Sequence, residues 1–122
     1  MDPEVRAKLN RAHEERVAGN YDAAQQLYHE VIPLLTDGVE VAEARHGLGS
    51  ALLFAGMFDE GLEEIKRAHE GNPNDAGICL DLAKTHLMLG MYEAAQPQLA
   101  EIVERFPNTP EADEAKKQLS YF

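Results

Sequence analysis

His13-Glu14 has the opening of a zinc-protease helix, in which two histidines one turn apart hold the metal and the glutamate acts as base. The second histidine should come four residues on, where Val17 stands. The five histidines (His13, His29, His46, His69 and His86) contain no pair at that spacing, so no metal site is expected. Gly47-Leu48-Gly49-Ser50 superficially suggests a phosphate-cradling loop, but the further glycine and the lysine such a loop needs are missing. Acid pairs such as Glu63-Glu64 fall where charged surface is expected and read as a solvated face, not as a general acid and base. The single cysteine, Cys79, allows no intramolecular disulfide. Flanked by Ile78 and Leu80, it reads as a small buried hydrophobe. Catalytic, metal-binding and cofactor-binding sets are all expected to be absent.

The 122 residues fit one domain, and 44% apolar content is enough for a core. Acidic residues outnumber basic ones 22 to 11, giving a formal charge of -11. Phosphate binding needs clustered Lys and Arg, so a nucleic-acid surface is disfavoured, and docking on anionic lipid equally so. A well-solvated acidic exterior is the simpler reading; a basic partner is compatible with it. Met1-Asp2-Pro3-Glu4 opens no apolar signal segment, and no stretch approaches spanning length, so the expected location is cytoplasmic.

The elements that would carry any site are set by a period. Gly56-Met57-Phe58-Asp59-Glu60-Gly61 recurs 34 residues on as Gly90-Met91-Tyr92-Glu93-Ala94-Ala95. Gly19-Asn20-Tyr21-Asp22-Ala23-Ala24 is an earlier copy, 37 residues before the second. Such a period predicts a solenoid of repeated helix pairs. Ala44, Leu48, Ala51, Leu52 and Ala55 keep helical spacing before one glycine; Gly61, Ile65 and Ala68 keep it after. The glycines suit the left-handed backbone at a helix C-terminus, and Pro73 and Pro107 close the second helices. Asp2-Pro3 and Thr109-Pro110 each look like an N-cap followed by proline at the first helical position. The second of these opens a last helix to about Ser120, with Ala112, Ala115, Leu119 and Phe122 on its apolar face. Pro33 is expected to end or bend one helix, and Pro97 to fall early in another.

These residues resemble the tetratricopeptide repeat, whose pattern is Trp-x2-Leu-Gly-x2-Tyr, then Ala-x3-Phe-x2-Ala, then Pro over about 34 residues. The second repeat reads Arg45-x2-Leu48-Gly49-x2-Leu52, Gly61-x3-Ile65-x2-Ala68, Pro73; the third reads Cys79-x2-Leu82-Ala83-x2-His86, Ala95-x3-Leu99-x2-Ile102, Pro107. The first departs further, with Lys8-x2-Arg11-Ala12-x2-Glu15, Ala24-x3-Tyr28-x2-Val31 and no closing proline. The resemblance implies an all-α, right-handed superhelical solenoid of three helix-turn-helix repeats, six helices in all, plus a C-terminal capping helix. The expected division is one domain over 1–122, with repeats at about 5–38, 42–75 and 76–109 and the cap at about 110–120. Lys8, Arg11 and Glu15 stand where the family packs on a preceding repeat, so the solenoid is expected to begin at this helix. Three extra residues around Thr36-Asp37-Gly38 are expected to lengthen the first inter-repeat turn.

The resemblance also implies a function. Family members curl so that the first helix of each repeat lines a concave groove for a partner. The corresponding positions are Arg6, Leu9, His13, Arg16 and Val17; then Glu43, His46, Ser50, Leu53 and Phe54; then Gly77, Leu80, Lys84, Leu87 and Met88. Chaperone-binding members use Lys, Asn and Arg to hold a C-terminal carboxylate. Leu9, His13, Gly47, Gly77 and Asp81 occupy those places here, so no chaperone C-terminal tail is expected to bind. Val17, Leu53, Phe54, Leu87 and Met88 form an apolar stripe, with Arg6, His13, Arg16, His46 and Lys84 beside it. This predicts a non-catalytic scaffold that takes an amphipathic helix or extended segment with apolar anchors and some acidic character. The competing account of the stripe is that these side chains belong to the core. An alternative function is self-association, through the same stripe or through Leu119, Tyr121 and Phe122.

Overall fold

The computed structural model describes all 122 residues, as seven α-helices without strands. In chain order they are α1 (Pro3–Val17), α2 (Tyr21–Val31), α3 (Gly38–Phe54), α4 (Phe58–Gly71), α5 (Ala76–Met88), α6 (Tyr92–Arg105) and α7 (Pro110–Leu119). None is long and apolar enough to cross a membrane. The chain divides into two compact units, Met1–Asn72 with α1–α4 and Pro73–Phe122 with α5–α7.

Three helix reversals share one solution. At Gly19, Gly56 and Gly90 the backbone turns left-handed, with φ of 85°, 85° and 74°. In each turn the residue after the glycine donates its N–H back to a carbonyl of the helix just ended. The pairs are Asn20 to Glu15 at 2.8 Å, Met57 to Leu52 at 2.9 Å and Met91 to His86 at 2.8 Å. This is the hydrogen-bonded stop that a residue without Cβ permits cheaply. No heavy atom lies within 4 Å of a Cβ placed on any of the three, so the backbone angle, not crowding, selects glycine.

In the first unit, Asp2 caps α1 by accepting the Glu4 N–H at 2.7 Å, with Pro3 opening the helix. α2 stops at Val31 and runs into one 3-10 turn, Ile32–Leu34, which contains Pro33. The residues around Thr36 do not simply lengthen a loop. Asp37 caps α3 by accepting from the Val39 and Glu40 N–H groups at 2.9 and 3.1 Å, so the helix begins at Gly38 and runs 17 residues. The core centres on Leu9, Tyr28, Val31, Leu48 and Leu52. α3 and α4 approach closely through Gly49 and Gly61: a Cβ on Gly61 would lie 3.1 Å from the Gly49 carbonyl oxygen.

In the second unit, Asp75 caps α5 by accepting the Ile78 N–H at 3.0 Å. Cys79, Ala83, Leu99, Ile102 and Ala115 form the core, with Leu80, Leu87, Val103, Phe106 and Leu119 packed around them. The Cys79 thiol donates to the Pro73 carbonyl at 3.4 Å, and burial pushes its pKa up, so it is an unreactive core group. Pro97 lies inside α6 on its exposed side. Thr109 caps α7 from both sides, accepting the Ala112 N–H at 3.1 Å and donating to the Phe106 carbonyl at 2.6 Å. α7 buries Ala112 and Ala115, while Phe122 is exposed and meets the Tyr92 ring edge-on at 6.3 Å between centroids.

Candidate functional site

α1 carries only two fully buried side chains, Leu9 and Ala12. Leu9, expected in the groove, is instead 0% exposed and belongs to the core. The reason lies in the helix itself: α1 is so polar that Leu9 and Ala12 are the side chains it buries to hold it to its neighbours.

The rest of that helix face meets α2 and α3 in one hydrogen-bonded cluster. Arg6 donates from Nη1 and Nη2 to the two carboxylate oxygens of Glu43, at 2.8 and 3.2 Å. His13 Nε2 lies 3.0 Å from Glu43 Oε2, and His13 Nδ1 lies 2.6 Å from the Tyr28 hydroxyl. Arg16 Nε donates to the same hydroxyl at 3.1 Å. A guanidinium can only donate, so the Tyr28 oxygen accepts from Arg16 and its own proton goes to His13 Nδ1. Neutral His13 then carries its proton on Nε2 and donates it to Glu43. One tautomer satisfies every partner.

The electrostatics agree with that assignment. Burial, the largest influence, lowers the His13 pKa; nearby Arg16 and Arg6 lower it too, and the Glu43 bond only partly opposes them. Burial pushes the Glu43 carboxyl up, but the bonds and charges of Arg6 and His13 outweigh it and leave the group below its ordinary value. Burial raises the Tyr28 phenol against the smaller effect of Arg16.

Tyr28 was not among the residues singled out by position. It occupies the Ala24-x3-Tyr28 place, where the family has phenylalanine, and its side chain is fully buried. The signal that could have found it is the pairing of a tyrosine there with Gly47. A Cβ on Gly47 would come within 2.7 Å of the Tyr28 Cε1 atom and closer still to Cζ and the hydroxyl. Only a bare backbone lets the ring cross α3 and present its hydroxyl to α1.

The apolar stripe divides. Val17 is 80% exposed, Phe54 69% and Met88 54%, whereas Leu53 and Leu87 are half-buried. In the first unit Val17 ends α1 and Phe54 ends α3, and the Phe54 ring stacks on Tyr21 at 5.9 Å and 14°. His46 and Ser50 are half-buried on α3. In the second unit Lys84 is exposed and sits 3.9 Å from Glu114. Gly77 and Leu80 are half-buried there. A cavity of about 400 Å³ is lined by Leu87, Tyr92, Gln118, Tyr121 and Phe122. No group of three or more His, Cys, Asp or Glu residues is placed to hold a metal ion.

Antiparallel helix pairs joined at left-handed glycines, repeating at intervals of 37 and then 34 residues, define the class of helical-hairpin repeat proteins. The tetratricopeptide repeat profile matches residues 52–119. The chain therefore belongs to the tetratricopeptide repeat family. No curated protein sequence matches it. Among solved structures it is similar to PcrH, in complex with the chaperone-binding region of PopB. That likeness has a TM-score of 0.80 at 17% identity, over 99% of this chain and 95% of that one. It is also similar to the Yersinia enterocolitica type III secretion chaperone SycD, solved with a peptide of the translocator YopD. Here the TM-score is 0.81 at 17% identity, over 99% and 90% of the two chains. YrrB, a repeat protein of this family with an unusual peptide-binding site, has a TM-score of 0.76 at 20% identity. That match covers 92% of this chain and 55% of YrrB.

Proposed function

We propose that this protein is a non-catalytic scaffold that holds a peptide or helical segment of another protein against the first helices of its repeats. The observation that carries the reading is the exposure of Val17 and Phe54 at the ends of α1 and α3. Large apolar side chains left in water at corresponding places of successive repeats serve as anchors for an apolar ligand face. Similar folds have been solved with peptides or segments of partner proteins, which supports the same use here. The ligand is not a C-terminal chaperone tail. Leu9, which stands at one of the tail-binding places, is buried in the core.

A library of random 15-residue peptides displayed on phage tests the reading. Peptides selected by the wild-type protein should bind Phe54→Asp at least about tenfold more weakly, since a desolvated anchor is replaced by a charge. Equal affinity for this variant overturns the assignment of this face.

Self-association is the second reading. It is favoured by the exposure of Tyr92, Tyr121 and Phe122 around the cavity of the second unit. Light scattering after size exclusion separates the two. A monomer at all concentrations rejects self-association; a dimer that Tyr121→Asp, Phe122→Asp dissociates supports it.

A further inference from the structure

The cluster on α1–α3 has a charge imbalance. Glu43, the one carboxylate in it, is already engaged by the fork of Arg6 and by His13. Arg16 has no ion pair; its Nε is fixed by the Tyr28 hydroxyl, and its two terminal nitrogens have no partner within the protein. With Arg6 and Glu43 cancelling and His13 neutral, the cluster keeps one positive charge, in a chain with twice as many acidic as basic residues. Holding a guanidinium by Nε leaves its Nη pair as a preset fork, the geometry that matches a carboxylate through two parallel hydrogen bonds. Tyr28 is fully buried and held over Gly47, so the hydroxyl that orients Arg16 is itself rigid. The apolar anchor Val17 is the next residue along α1 and is exposed.

We infer that Arg16, oriented by the Tyr28 hydroxyl, is an acid-reading subsite that takes the side-chain carboxylate of an Asp or Glu next to an apolar anchor in the bound segment. This rests on the groove reading above and adds to it the sequence character of the ligand. Arg16 would touch the ligand; Tyr28 and His13 are positioning residues. Arg6 is not a second reader, because both ends of its fork are taken by Glu43.

The test uses peptides selected by the wild-type protein from the displayed library, made synthetically with amidated C-termini. The expected outcome is enrichment of Asp or Glu at one position beside an apolar residue. Replacing that acid by its amide should weaken binding to wild type by about tenfold, as for a charged hydrogen-bonded pair. The same replacement should change little against Arg16→Gln. Arg16→Lys, which keeps the charge and loses the fork, should recover only part of the affinity. Circular dichroism checks that both variants keep their helix content. If selected peptides depend on Phe54 but show no acidic position, or if the amide replacement costs as much in Arg16→Gln, the inference is overturned and the groove reading survives. If the peptides are indifferent to Phe54→Asp, both fail. If a free C-terminus replaces the side-chain acid in an Arg16-dependent way, the carboxylate source assigned here is wrong.

Discussion

Gly47→Ala is the sharpest test of how the first unit is built. In an ordinary helix interior the change stabilises by about 1 kcal/mol, because alanine restricts the unfolded chain and favours the helix. At Gly47 the new methyl would meet the Tyr28 ring, 2.7 Å from Cε1 and nearer to Cζ and the hydroxyl. Carbon atoms need about 3.5 Å, so the ring must move by roughly 1 Å. It has no space to yield, being fully buried among Leu9, Ala12, Leu48 and Ala51. Overpacking of this kind costs about 1–3 kcal/mol and occasionally more. Displacing the hydroxyl also removes its bonds to His13 and Arg16, about 1 kcal/mol each. Against the helical gain, the net expectation is a loss of about 2–4 kcal/mol. Urea unfolding followed by far-ultraviolet circular dichroism would measure it, since the chain has no tryptophan to report by fluorescence. A variant as stable as wild type, or more so, refutes the account of why α3 carries glycine there. Adding Tyr28→Phe removes the closest clashing atom. The double variant should therefore be less destabilised than the sum of the singles, by about 1 kcal/mol.

Tyr28→Phe alone should cost about 1–2 kcal/mol in the same unfolding assay, since the ring slot is kept and two hydrogen bonds are lost. His13 has a folded pKa below its ordinary value, so the folded chain resists its protonation. Its contribution is full above about pH 6.5, the ordinary imidazole value, and is lost as pH falls through the folded pKa. Stability measured downward from neutral pH should therefore fall in wild type and fall less steeply in His13→Gln. Glu43 acts at lower pH and with the same sign: its depressed pKa gives stability above the ordinary carboxylate range that is lost on further acidification. The Glu43→Gln variant should flatten the stability profile there. Thr109→Ala removes the cap of α7 and should cost about 1 kcal/mol, read as faster amide exchange in 110–119 ahead of the rest of the second unit.

Much of the architecture was legible from spacing. The left-handed reversals follow from Gly19, Gly56 and Gly90 alone, because the turn asks for one residue type at one place. The caps at Asp2 and Thr109 and the interruption at Pro33 are equally local. The α3 start was not, because the extra residues around Thr36 could extend a loop or a helix. Asp37 decides it by capping two N–H groups. The binding face was legible only by position within the repeat. Position cannot distinguish Leu9, drawn inward by the scarcity of apolar residues on α1, from Val17, left in water on the same helix. Nor could it reveal that Tyr28 serves the core with its ring and the α1 face with its hydroxyl. That double role depends on a glycine 19 positions away and becomes visible only when α2 lies against α3.

Within each unit every helix packs on the one before it: α2 on α1, α3 on α2 and α4 on α3, then α6 on α5 and α7 on α6. The hairpin reversals at Gly19, Gly56 and Gly90 span three residues each, so the loops that must close are short and their entropic cost is small. Such a topology belongs to the fast end of folding kinetics, roughly microseconds to milliseconds for helical domains of local connectivity. Each new helix finds the surface of the helix before it already made when it leaves the ribosome. The nascent chain therefore need not wait for its C-terminus before hiding its apolar faces. For a protein that leaves Val17, Phe54 and Met88 uncovered when folded, a short unfolded lifetime limits the time during which still more apolar surface is open to aggregation.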